Sequence, residues 1–77
     1  MSTENKYRLL REVAVDVSRK FTCKIVYGYK DGYEYILVPT KFCEKAIEYL
    51  CYTYKMFSFK AGDEDGEGNT EILVKEV

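Results

Sequence analysis

The chain has 77 residues, of which 47% are hydrophobic, 16% aromatic and 32% charged, with a formal net charge of −1. That is one small domain spanning residues 1–77, too short for a barrel or a doubly wound sheet and too apolar and aromatic for a disordered chain. Histidine is absent, which removes the commonest general base and metal ligand. The three cysteines, Cys23, Cys43 and Cys51, contain no CxxC pair and are odd in number, so neither a zinc site nor a closed set of disulfides is expected.

The polar start, Met1-Ser2-Thr3-Glu4-Asn5-Lys6, carries no apolar leader, and with the unpaired thiols it points to a reduced, cytoplasmic setting. No stretch approaches the ~20 consecutive apolar residues that span a bilayer, so no membrane association is expected. The charge is unevenly spread: residues 1–60 carry +4 and residues 61–77 carry −5.

Tyr7, Leu10, Ala14, Val17 and Phe21 recur at spacings of three and four, which places them on one helix face. Ser2 or Thr3 is placed to cap that helix, and Arg19 and Lys20 suit its last turn. Val13, Val15 and Val17 alternate as a strand would, but the end signals favour the helix. Phe21 to Tyr29 and Tyr33 to Val38 are rich in β-branched and aromatic residues and flank Asp31-Gly32, the dipeptide suited to a type I′ hairpin turn. Pro39 ends the second strand and Thr40 is placed to cap a second amphipathic helix over 41–53, with Phe42, Cys43, Ala46, Ile47, Tyr49, Leu50 and Tyr54 on its apolar stripe. Residues 54–61 read as a third strand, Gly62 to Asn69 as an acidic loop, and Thr70 to Val77 as a fourth strand.

The order is α+β: two αββ units, whose apolar faces are best buried as a four-stranded antiparallel sheet with two helices on one face. Glu34-Tyr35-Ile36-Leu37-Val38 is echoed by Thr70-Glu71-Ile72-Leu73-Val74. The topology resembles a ferredoxin-like βαββαβ fold whose first strand has moved to the end. The repeated αββ order is also similar to that of LAGLIDADG endonucleases, but Val17-Ser18-Arg19-Lys20 lacks their acidic signature at the close of the first helix, and no function is carried over.

With a two-residue turn, residues whose numbers sum to 63 pair across the hairpin, so Tyr27 faces Ile36 and Ile25 faces Val38 on one side. Val26, Gly28, Tyr33, Tyr35 and Leu37 occupy the other, with Lys24 and Lys30 at its ends. Such a face suits a protein partner, since tyrosine is enriched at interfaces, and Asp63, Glu64, Asp65 and Glu67 can meet a basic one. The same Tyr/Lys face also fits the stacking of single-stranded bases, though the acidic tail opposes phosphate.

The acidic loop places oxygen side chains at four positions of a calcium loop but has Val74 where a bidentate Glu is needed, so no metal is expected. Cys43 and Cys51, eight apart, read as small core hydrophobes. Asp16, Glu12, Glu44 and Glu48 each have a basic residue three or four away, the pattern of a solvated face. No catalytic constellation and no cofactor emerge. The expectation is a non-enzymatic module that binds and regulates or inhibits another protein, with homodimerisation through an edge strand as a second mode. Compact chains of this makeup resemble accessory proteins of phages and archaeal viruses.

Overall fold

In the computed structural model the backbone is described for residues 3–76 and the side chains for residues 10–75. The elements are α1 (Thr3–Phe21), β1 (Val26–Lys30), β2 (Tyr33–Pro39), a 3-10 turn (Thr40–Phe42), α2 (Cys43–Thr53), β3 (Phe57–Glu64) and β4 (Asn69–Glu76). The strands form one sheet in the order β1-β2-β4-β3, and each neighbouring pair is antiparallel.

Burial settles the helix-against-strand conflict in the first segment. Val13 and Val17 are buried and Val15 is exposed, a helical period that strand alternation cannot produce. The caps expected from Ser2 or Thr3, and the Tyr7 contact, lie outside the described side chains. Phe21 belongs to the end of α1 rather than to a strand, so β1 begins at Val26. Between them Thr22 sits at φ 51°, while Cys23 N–H donates to the Ser18 carbonyl at 3.1 Å. That is a Schellman closure with a β-branched residue where glycine is usual.

The β1–β2 hairpin takes the expected register, with Tyr27 opposite Ile36 and Gly28 opposite Tyr35. Asp31 and Gly32 both have positive φ, 51° and 82°, as a type I′ turn requires. Thr40 does not cap α2. Its hydroxyl is paired with that of Thr70 at 2.7 Å, and its N–H donates to the Gly68 carbonyl at 2.8 Å. Tyr54 ends α2 instead of opening a strand, and β3 runs on to Glu64, so the acidic loop shrinks to residues 65–68.

The echoed segments are the two central strands. Ile36 pairs with Ile72, Glu34 with Val74 and Val38 with Thr70, so a pseudo-twofold passes between the two isoleucines. Ile36, Val38, Ile72 and Val74 point to the same side as Phe59 and meet Leu10, Val13, Ala14 and Val17 of α1 and Ala46 and Leu50 of α2 in a single core. Full burial of side chains such as Ile36, Leu50 and Ile72 stabilises the fold by roughly 1.5–3 kcal/mol each. Both helices cover this one face, and the other is left open. Among the described residues no helix is long and apolar enough to cross a membrane.

Candidate interaction face

The strand period of two puts Val26, Gly28 and Lys30 of β1, Tyr33, Tyr35 and Leu37 of β2, and Glu71 and Leu73 of β4 on the side away from the core. Tyr33 is 51% exposed. Tyr35 lies flat across Gly28, where an added Cβ would stand 3.0 Å from its hydroxyl oxygen, so the missing side chain of Gly28 is what gives the ring its berth.

Lys30, Asp31, Tyr33, Tyr35, Gly62, Asp63, Glu71 and Leu73 line a concavity of about 250 Å³ on this face. Lys30 Nζ reaches over β2 to Glu71 Oε1 at 3.6 Å. With that ammonium engaged, the rim holds three carboxylates, Asp31, Asp63 and Glu71, against one cation. Asp63 reaches it through a bulge. The β3–β4 register slips between Ala61 and Glu64, and one extra residue there lets both Gly62 and Asp63 line the same face.

The site expected from sequence is therefore divided. Tyr33, Tyr35, Lys30 and Asp63 come together, and Leu37 lies half-buried on the same face. Lys24 is exposed in the segment before β1, outside the strands. Glu64 closes β3, and Asp65 and Glu67 occupy the turn near Pro39 and Thr40, none of them lining the concavity. Glu71 and Leu73 were missed. The echo between the central strands contained the signal, because matching Ile72 to Ile36 turns Glu71 and Leu73 outward with Tyr35 and Leu37.

The acidic turn is a folded element rather than a loose loop. Asp65 Oδ1 accepts the N–H groups of Glu67 at 2.7 Å and Asn69 at 3.1 Å, and Oδ2 accepts the Asn69 side-chain amide at 3.0 Å. The Glu67 N–H first, then the Asn69 amide, holds the Asp65 carboxyl below the usual carboxylate range. Among the described residues no three Cys, Asp or Glu side chains are grouped as metal ligands.

Two further expectations change. Cys43 is buried but Cys51 is exposed. Eight residues advance a helix by about 80° beyond two full turns, which carries Cys51 off the stripe that holds Cys43. Burial, with the Glu44 charge, pushes the Cys43 thiol above its usual value. Asp16 leaves the solvated face to which its spacing from Lys20 assigned it. Its Oδ1 accepts the Tyr49 hydroxyl at 2.8 Å and its Oδ2 the Tyr54 hydroxyl at 2.9 Å, tying α1 to the end of α2. Lys20 instead lies over the Tyr49 ring, 5.5 Å from its centroid. The bond to Asp16 leads in raising the Tyr49 hydroxyl above its ordinary pKa. At Tyr54 burial leads and the bond follows. Comparison with protein-family models, curated proteins and solved structures finds no match to this chain.

Proposed function

We propose that the chain is a non-enzymatic interaction module that binds a partner protein through the open face of its sheet and regulates or inhibits it. The observation that carries this reading is the Tyr33/Tyr35 concavity with Asp31, Asp63 and Glu71 at its rim. Two aromatic walls and an excess of carboxylates suit a lysine or arginine side chain, which gains from the ring faces and the opposite charge together. The scaffold behind it is a ferredoxin-like βαββαβ layout with its first strand moved to the end. The β1-β2-β4-β3 strand order and the single helical layer support that assignment.

A second reading has its own observation. Lys60 and Lys75 are exposed, and their register against Leu73 and Ser58 puts them on the same open face, where single-stranded bases could stack on the two tyrosines. One titration decides between them. A lysine/arginine-rich peptide should shift the amide resonances of Tyr33, Tyr35, Asp63 and Glu71, while an oligothymidine binds no tighter than the roughly 10⁻⁴ to 10⁻⁶ M of non-specific association. Tyr33→Ala and Tyr35→Ala should each weaken the peptide by about 1 kcal/mol or more if the rings are anchors. Oligonucleotide binding tighter than that range, falling steeply with salt and lost in the same variants, would replace the protein partner with a nucleic acid.

A further inference from the structure

The sheet has two edges, and they are built differently. The β3 edge is eight residues long, broken by the bulge between Ala61 and Glu64, and carries exposed Lys60, Asp63 and Glu64. Bulges and charges of this kind are how edge strands are kept from pairing with other chains. The β1 edge has no bulge and no charge in its interior. It is the five-residue run Val26-Tyr27-Gly28-Tyr29-Lys30, unbulged against β2, with its one charge at the end. Three apolar or aromatic side chains stand exposed on it, Val26, Tyr27 and Tyr29, the last at 58%.

We infer that β1 is a self-association edge at which a second copy of this chain pairs antiparallel, with Gly28 opposite Gly28. This goes beyond the proposed partner face and uses a different surface. The run is close to palindromic about Gly28. In that register Tyr27 of each copy stands opposite Tyr29 of the other, and Val26 opposite Lys30. Directly opposed residues of antiparallel strands share a face, so an even-numbered register of this kind keeps both helical layers on one side. The four tyrosines then cluster on the helix side of the seam, where aromatic cross-strand pairs are favourable. The register separates the two Lys30 side chains and brings Lys24 of each copy alongside the Asp31-Gly32 turn of the other, an opposite-charge contact at both ends. A net charge of −1 per chain poses little long-range repulsion. The product is a continuous eight-stranded sheet with both Tyr33/Tyr35 concavities on the same open side, a bivalent surface.

Sedimentation velocity over a dilution series tests this. The wild type should pass from monomer to dimer as concentration rises through the micromolar range, and hydrogen exchange at residues 26–30 should slow with it. Tyr29→Lys, a charge placed on an exposed edge position, should weaken dimerisation at least about tenfold with an unchanged circular dichroism spectrum. Ser58→Lys, the matching charge on the β3 edge, should leave it intact. A chain that stays monomeric at high micromolar concentration overturns the inference. So does a dimer that survives Tyr29→Lys, or one that Ser58→Lys abolishes. None of these results bears on peptide binding at Tyr33 and Tyr35, so the two readings stand or fall separately.

Discussion

The two αββ units of this chain meet as near-equals at the sheet centre and diverge outward. At the pseudo-twofold, Ile36 and Ile72 are both fully buried and directly paired. Away from it, α1 has 19 residues and α2 has 11; α1 closes through a left-handed Thr22 and α2 through Tyr54 at φ −118°. The first hairpin turns on two residues, while the second carries a bulge and a side-chain-bonded acidic turn. Equivalent positions are therefore held alike where they share the core, and differ where each unit faces solvent. The concavity draws on both kinds of ground, with Tyr33 and Tyr35 from one unit and Asp63, Glu71 and Leu73 from the other.

Ile36→Ala and Ile72→Ala probe the shared centre with the largest effect. Each removes a fully buried side chain and should cost about 2–5 kcal/mol in denaturant unfolding. Because the two face one another, the double variant should fall short of the sum. Clearly unequal costs would show that the pseudo-symmetry is one of backbone only.

Next in size is the link between units. Tyr54→Phe leaves Asp16 with one donor fewer and should cost about 1.5 kcal/mol, the low end for a hydrogen bond to a charged group because the site is only partly buried. The folded state holds the Tyr54 proton more tightly than the unfolded chain does. Its contribution is thus complete below the ordinary tyrosine pKa of about 10 and is lost as pH rises through the folded value. Tyr54→Phe should flatten that alkaline loss, and an equally steep loss in the variant would assign it elsewhere.

Thr22 in α1's closure has no left-handed counterpart at the end of α2, and it offers an effect of opposite sign. A β-branched residue at φ 51° carries strain that glycine does not, so Thr22→Gly should stabilise by about 1 kcal/mol despite the flexibility glycine adds to the unfolded chain. A loss of stability would mean that the threonine side chain makes a compensating contact.

Local chemistry made much of this legible. Asp31-Gly32 fixed the hairpin register because only a two-residue turn with positive φ suits it, and alternation about that turn assigned Tyr33, Tyr35 and Leu37 to one face. What was not legible depended on contacts between distant segments. Asp16 reads as solvated from its own helix, because Tyr49 and Tyr54 are 33 and 38 residues away. Glu71 and Leu73 join the concavity only once β4 is known to pair with β2. Asp63 lines it only because of a bulge that no dipeptide announces. Cys51 was misplaced by reading eight residues as two whole turns.

The two hairpin turns supply the smallest effect and a clean contrast. The first is set by backbone dihedral preference at Asp31 and Gly32, which has no proton to lose. The second is set by a carboxylate, Asp65, that must be ionised to accept three donors at full strength. Its depressed folded pKa means that its contribution is present above the ordinary carboxylate range and lost as pH falls through the folded value. Following the amide shifts of Glu67 and Asn69 through an acid titration should show a midpoint below that of an unperturbed aspartate, while the Lys30–Tyr33 pairing that closes the first turn persists over the same span. The shift comes from hydrogen bonds rather than from neighbouring charges, so added salt should leave the midpoint nearly unchanged. A midpoint at or above the ordinary aspartate value would mean that the Asp65 bonds do not hold the turn in solution, and that Gly66 and Gly68, at φ 81° and 87°, set the second turn by the same dihedral means as the first.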